Sequence, residues 1–336
     1  GACLIGFPLP VIAFNQYLGW THTTNSYDGV DAYELKLKSD GYLFDGQLKQ
    51  FEKENIVIKI NNEGKIEEQK LEILHSINGT VFATKGKKAL AFRYAGLDRP
   101  LVWEQYFKML TAKNINEFEQ AISHGQLPTQ NIMYADRDGH IMLIDNGTRP
   151  IRSSGDFITW YWVVPGDTSG TMWKGYHPYS DYPKVIDPPN GWIQNTNDPI
   201  YLCAKPVILD INKYPKYVLP DASFYKFVDN MNQLRFMRTH RSLRMLSESG
   251  KISFNEMVEM KHSTRMETAD RILPELFKRI NNCDDDLVKQ AAKVLNNWDR
   301  CADSNSRGAL LFREWMKNMK WRPFANGWDW NAMFET

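Results

Sequence analysis

Hydrophobic periodicity changes partway along this chain, and that change constrains the fold more than any other feature. Up to about residue 200 the apolar residues come in short runs: Leu9–Phe14, Ala32–Leu37, Ile56–Ile60, Leu71–Leu74, Leu90–Tyr94 and His140–Ile144. Alternation and β-branched residues mark several of these as strands, with Gly, Asp and Asn at the breaks. Glu54–Lys70, centred on Asn61-Asn62-Glu63-Gly64, reads as a hairpin with a polar tip. One helix is expected in this half, about Val102–Ser123, with Trp103, Tyr106, Phe107 and Leu110 on one face. From about Ala222 the spacing turns helical. Ser253-Phe-Asn-Glu256 forms a capping box ahead of a helix carrying Met257 and Met260. Asp284–Trp298 has the acidic first turn that a helix dipole favours, and Ala309–Met319 supplies a further helix. Between the halves, the Gly/Pro/Trp-rich stretch Val163–Gly191 is expected to be an ordered irregular loop. The expected class is α+β, with a β-rich part over 1–200 and a mostly helical part over 201–336.

At 336 residues the chain can bury a large core in one domain or two. A formal net charge of +1 gives no sign of nucleic acid or an anionic membrane surface as partner. No apolar run reaches the length of a membrane span, and no signal peptide is recognisable. The 11 Trp and 15 Tyr residues serve cores first, and can also line a pocket for apolar or ring-bearing ligands. Cys3, Cys203, Cys283 and Cys301 form no Cys-x-x-Cys pair and no zinc spacing. Cys283 and Cys301 flank one expected helix, compatible with a disulfide in an oxidising compartment or with two free thiols. The chain opens on the apolar run Gly1-Ala-Cys-Leu-Ile-Gly6, which reads as the interior of a longer polypeptide.

Candidate chemistry gathers at a few places. Leu18-Gly-Trp-Thr-His-Thr-Thr24 joins a strand-like run to a polar turn, where a backbone amide can stabilise developing negative charge. Asp28 and Asp31 follow as paired carboxylates able to hold a cation. Asn195-Thr-Asn197-Asp-Pro reads locally as a turn, and Arg238-Thr-His-Arg-Ser-Leu-Arg244 as a basic helix whose charges face solvent. His22, beside Trp20, reads as a hydrogen-bonded structural histidine. Taken alone, these residues do not connect into one site.

In combination they resemble the penicillin acylase family, the N-terminal-nucleophile amidohydrolases that include penicillin, aculeacin and acyl-homoserine-lactone acylases. Leu18–Thr24 is similar to the family's Trp-Thr-His-Thr segment. Asn131-Ile-Met-Tyr-Ala-Asp136 with Gly139 resembles its strand-turn-strand. Val164-Pro-Gly166, Trp173-Lys-Gly175 and Pro188–Asn197 are similar to the loop leading to its catalytic asparagine, and Arg238–Leu246 to the helix opening with its active-site arginine. Trp298-Asp-Arg300 matches a helix end typical of the family. The resemblance spans almost the whole chain and occurs in the family's order.

The resemblance implies part of a four-layer αββα sandwich with a mostly helical insertion. It implies acyl transfer from an N-acyl amide, in which an N-terminal Ser uses its own α-amine as base. Carried over residue by residue, Thr24 supplies a backbone N–H and Asn197 a side-chain amide to the oxyanion hole, with Arg238 beside the site. Asp28-Gly-Val-Asp31 resembles the family's calcium segment, implying a structural calcium held by Asp28, the Val30 carbonyl and Asp31; no cofactor is implied for catalysis. The implied partners are a small acyl-amide substrate, the small (α) subunit and the remainder of the large subunit, in the periplasm or outside the cell. No Ser begins the chain. Cys3 stands third, in an apolar run, and is read as structural. The chain alone is therefore expected to lack acylase activity. The competing reading is a degenerate relative that binds acyl or aryl ligands without turnover; a Trp-rich carbohydrate-binding module is a third, which the asparagine and arginine motifs do not favour.

Overall fold

The alternating runs form strands in the computed structural model of the chain, which describes residues 1–221, 223–225, 236–280 and 283–318. Ala222, Met319 and the last residues Phe334–Thr336 lie outside the described residues. Two units pack separately: a strand-rich unit of Gly1–Ile193, Pro199–Tyr201 and Ile208–Phe224, and a helical unit of Gln194–Asp198, Leu202–Val207 and Tyr225–Thr336. The exchange between them is thus not a single cut near residue 200. The chain enters the helical unit at Gln194 and returns to the strand-rich one twice before leaving it.

The strand-rich unit holds two sheets. The strands are β1 (Ala2–Cys3), β2 (Pro10–Phe14), β3 (Leu18–Thr23), β4 (Val30–Lys38), β5 (Gly41–Phe44), β6 (Gln47–Gln50), β7 (Glu52–Asn62), β8 (Lys65–Ser76), β9 (Gly79–Lys85), β10 (Lys88–Tyr94), β11 (Thr129–Asp136), β12 (Ile141–Gly147), β13 (Val164–Pro165) and β14 (Lys184–Ile186). The first sheet is antiparallel in the order β1-β2-β3-β11-β12-β14. The second runs β6-β5-β4-β10-β9-β8-β7, with β13 added parallel to β4. In β4 the alternation is strict, with Asp31, Tyr33 and Leu35 buried. The expected hairpin is the β7–β8 pair, closed by Glu63 and Gly64 between the paired Asn62 and Lys65. Both loop residues have positive φ, +50° and +91°, the conformation of a type I′ turn, and Gly64 supplies it without a Cβ penalty.

The single helix expected over Val102–Ser123 is two, α1 (Val102–Thr111) and α2 (Ile115–Ile122). Two asparagines divide it. Asn15 Nδ2 donates to the carbonyls of Leu110 and Ala112 at 3.0 and 2.8 Å, taking up orphan acceptors at the end of α1. Asn114 then caps α2 by accepting the Glu117 N–H at 3.0 Å. The buried face also differs from the expected one. Gln105, Tyr106 and Met109 are buried, while Trp103 and Phe107 are 43% and 58% exposed. Tyr106, Met109, Phe118 and Ile122 pack on Val11, Trp20, Ile132 and Ile144 of the first sheet, so both helices cover one face of it.

A short helix, α3 (Phe157–Tyr161), precedes the Gly/Pro/Trp-rich stretch, which runs as single 3₁₀ turns around β13 and β14, irregular yet buried in places. The helical unit contains α4 (Met237–Glu248), α5 (Phe254–His262), α6 (Glu267–Ile280), α7 (Asp286–Asn296) and α8 (Arg307–Asn318). The Ser253–Glu256 capping box opens α5, and Asp285 caps α7. Ala269, Leu273, Leu295, Trp298 and Phe312 form this unit's core. Arg300, in the turn after α7, binds Asp270 of α6 at 2.7 Å, and Arg244 of α4 binds Glu267 at 2.7 Å. All four cysteines are free thiols, and Cys3 lies exposed on β1. Among the described residues no helix is long and apolar enough to cross a membrane.

Gly308 shows how tightly the helical core is built. A Cβ there would lie 2.2 Å from the Trp298 ring. Gly308→Ala gains at most about 1 kcal/mol of helix propensity against an overpacking cost of ~1–3 kcal/mol. The substitution is expected to lower the denaturation midpoint in a urea titration; an unchanged or raised midpoint would show that Trp298 yields freely.

Candidate active site

Thr24 follows directly on β3, at the end of a strand that pairs with β11 from Leu18 to Thr23. Its side chain is exposed, and its carbonyl accepts from Asn131 Nδ2 at 3.4 Å. The next residues are tied to β12 and β11. Asn25 donates to Asp145 Oδ1 at 2.5 Å and to the Asn146 carbonyl at 2.7 Å, and accepts from Thr129 Oγ1 at 2.5 Å. The Tyr27 hydroxyl donates to the Thr148 carbonyl, and its ring needs the space that Gly147 leaves, since a Cβ there would lie 2.7 Å from it. The polar turn after β3 is therefore a pinned segment. His22 is half-buried in β3, with Nε2 at 3.2 Å from the Tyr106 hydroxyl. Burial lowers its pKa to about 4, so it stays neutral near pH 7 and fills a structural place.

Asn197 and Arg238 come together within the helical unit. The segment Gln194–Asp198 is a tight turn in which Asn197 takes a left-handed φ of +70°, a conformation that Asn tolerates better than most residues. Asn195 Oδ1 accepts the Asn197 N–H at 3.0 Å and stabilises that turn. Arg238, in the first turn of α4, donates from Nη2 to the Thr196 carbonyl at 2.5 Å and to Asn197 Oδ1 at 3.1 Å. A guanidinium has no acceptor, so the carboxamide atom facing it is the oxygen. The Asn197 NH₂ is consequently turned away from Arg238 as a donor. Thr24 belongs to the strand-rich unit, Asn197 and Arg238 to the helical one.

The expected calcium residues do not fit a calcium ion in this structure. Asp31 is fully buried, and its carboxylate is held by Arg152 through two bonds of 3.2 and 2.8 Å and by the Trp173 indole N–H. Arg152 Nη2 also donates to the Asp28 carbonyl at 3.2 Å and lies 3.1 Å from Asp28 Oδ2. That last approach is an ion pair without hydrogen-bond alignment, because Oδ2 is otherwise an unpartnered buried atom. Val30 lies in β4, paired with Tyr94 of β10. A monovalent guanidinium thus stands between the carboxylates that would chelate a divalent ion. No group of three His, Cys, Asp or Glu residues suited to a metal occurs among the described residues. Burial raises the Asp28 pKa to about 7 against the pull of Arg152, and raises that of Asp31 for the same reason. One guanidinium cannot neutralise two carboxylates. Millimolar calcium or EDTA is expected to move the melting temperature by less than about 1 °C, whereas a site at a hundredfold excess over Kd would add ~2.7 kcal/mol. A calcium-dependent rise in melting temperature would contradict this.

Arg152 escaped the reading of the sequence, and Trp173 entered it only as part of a loop motif, with no link to Asp31. Arg152 lies 121 residues from Asp31, and no local spacing marks it. Asp198 was visible only as turn punctuation.

The family profile of penicillin amidase matches residues 1–335. An acyl-homoserine lactone acylase PvdQ of Pseudomonas fluorescens (strain Pf0-1) is 24% identical over 366 aligned positions, covering 100% of this chain and 45% of that protein. The penicillin G acylase of Escherichia coli is 28% identical over 202 positions, covering 57% of this chain and 23% of that protein. Among solved structures, a thermostable penicillin G acylase from Alcaligenes faecalis aligns with a TM-score of 0.68 at 21% identity, covering 88% of this chain and 50% of the other. This chain spans less than half the length of these curated relatives.

Proposed function

The chain belongs to the penicillin amidase family, and from that premise we propose that it forms part of an amidohydrolase that cleaves an N-acyl amide through an acyl-enzyme. The observation that carries the reading is the orientation of Asn197. Its carboxamide oxygen is engaged by Arg238 at 3.1 Å, which leaves the NH₂ as the side of the carboxamide facing away from the guanidinium. A preorganised donor of this kind stabilises an oxyanion without reorganising as the charge develops. The Thr24 backbone N–H is the second donor in this reading, presented after β3 by the Asn25 and Asn131 contacts.

The nucleophile in this reading is an N-terminal Ser outside the 336 residues. Its α-amine, with an ordinary pKa of ~7.7–8.0, takes the hydroxyl proton near working pH. The Ser oxygen bonds to the amide carbon, and the carbonyl oxygen becomes the oxyanion that Asn197 and Thr24 stabilise. The C–N bond then breaks, and the amine leaves with that proton. Water attacks the ester that remains, releasing the acid. Cys3 has no part in this, since its thiol cannot use its own α-amine as base in the same way. The relatives' names support two substrate classes, N-acyl-homoserine lactones and penicillins, and a small subunit and further large-subunit segments complete the protein. The family resemblance alone supports a periplasmic or secreted location.

The test is amine release by the full-length protein from a panel of N-acyl-homoserine lactones and from penicillin G. Turnover supports the reading. Saturable binding without turnover establishes the binding-only relative instead. Chain-length preferences are expected to be graded, because one methylene discriminates by just ~1–3 kcal/mol.

A further inference from the structure

Asp198 is 2% exposed, and every group that meets its carboxylate there is a donor or can act as one. Oδ1 accepts from Asn195 Nδ2 at 2.7 Å and from the Thr196 N–H at 3.3 Å. Oδ2 accepts from Gln194 Nε2 at 2.9 Å and from Thr196 Oγ1 at 3.4 Å. Thr239 of α4, the residue after Arg238, also donates to this carboxylate, and its hydroxyl meets Thr196 Oγ1 at 3.0 Å. Gln194 cannot turn its amide round to offer an acceptor instead, because the same Nε2 donates to the Leu202 carbonyl at 2.6 Å. One acceptor-only group therefore gathers Gln194, Asn195 and Thr196, and joins their turn to the helix that carries Arg238.

Resting on the acylase reading above, we propose that Asp198 is a positioning residue of the site, whose carboxylate fixes the turn in which Asn197 offers its NH₂ to the oxyanion. It touches no substrate. It acts through Asn197, by holding the backbone whose φ is +70° at that residue and by keeping Arg238 against the carboxamide oxygen. An isosteric amide cannot replace it. Whichever way an Asn side chain is turned at 198, its NH₂ faces a donor: Asn195 Nδ2 and the Thr196 N–H on one side, Gln194 Nε2 on the other.

The experiment is a double-mutant cycle in the full-length protein, with Asp198→Asn measured alone and in the Asn197→Ala background. D198N alone is expected to lower kcat by about tenfold to a hundredfold with KM changed less than about twofold, the pattern of a lost transition-state interaction. In the N197A background the same substitution is expected to change kcat less than about twofold, since the group it positions is gone. Equal losses in both backgrounds would overturn the proposal, for they would show that Asp198 acts on something other than Asn197. If D198N does not accumulate as folded protein, the isosteric Thr239→Val removes one donor to the same carboxylate. It is expected to lower kcat roughly threefold to tenfold, again only when Asn197 is present. Absence of wild-type turnover, or N197A at wild-type rate, would defeat the acylase reading itself. The positioning claim is then decided by the crystal structure of D198N, or of T239V where D198N does not fold. Asn197 at negative φ and parted from Arg238 supports it, and Asn197 kept at its left-handed φ against Arg238 overturns it.

Discussion

Asn197→Ala in the full-length protein is expected to lower kcat by about 10²–10³-fold while KM stays within about threefold, the cost of removing one oxyanion donor. The expectation follows from where the carboxamide points. Arg238 takes the oxygen at 3.1 Å, and the left-handed turn fixes the backbone behind it. In the proposed mechanism the NH₂ meets a negative charge that exists only in the transition state, which is why kcat is expected to carry the loss. Asn197→Asp is expected to be at least as damaging, because it brings a carboxylate toward the developing oxyanion. Steady-state kinetics on a single acyl amide separate the two parameters. A rise in KM at unchanged kcat would place Asn197 in substrate binding and remove the transition-state argument.

The second large effect concerns stability. Arg152→Leu leaves Asp31, fully buried, and Asp28 facing each other without their guanidinium. Breaking a buried ion pair from one side costs ~3–5 kcal/mol, because the remaining charge is left uncompensated. The penalty depends on pH with a definite sign. Burial already holds the pKa of Asp28 at about 7 and raises that of Asp31, and losing the cation raises both further. The folded variant then binds more protons than its unfolded chain from the ordinary carboxylate range up to the raised values. Its stability accordingly rises as pH falls through that window. Urea denaturation at pH 8 and pH 5 is expected to show the larger gap between wild type and R152L at pH 8. A gap that is equal or larger at pH 5 would contradict the assignment of Arg152 as the counter-charge to both carboxylates.

Much of the architecture was legible because it is local. Strict alternation announced β4, and Asn61-Asn62-Glu63-Gly64 announced the hairpin tip that Glu63 and Gly64 close. Ser253 and Glu256 announced α5. The failures share a cause, which is that a partner distant in sequence decided the outcome. The end of α1 depends on Asn15, whose amide takes its terminal carbonyls from 95 and 97 residues away. Helix α6 carries Pro274 in its interior, a residue that argues against a helix on local grounds. Tertiary packing of Ala269, Ile272 and Leu273 into the helical core overrides it.

The site divides along the same line. The turn at Asn195–Asp198 was visible as a turn, while its contact with Arg238 spans 41 residues and was reached only through the family resemblance. The same resemblance gave Asp28, Val30 and Asp31 the role of calcium ligands. The carboxylates are indeed gathered, but around Arg152, a residue that no spacing connects to them. Motif similarity pointed to these charged groups, and the cation that lies against them in the structure is the Arg152 guanidinium.

The measurement that bears most directly on the account is a rapid-quench single turnover of an acyl amide by the full-length wild-type protein and by N197A. The wild type is expected to release the amine and retain the acyl group on its nucleophile. N197A is expected to acylate about 10²–10³-fold more slowly from a complex of unchanged substrate affinity. Acylation at the wild-type rate in N197A would contradict the claim that this chain holds an oxyanion donor at Asn197.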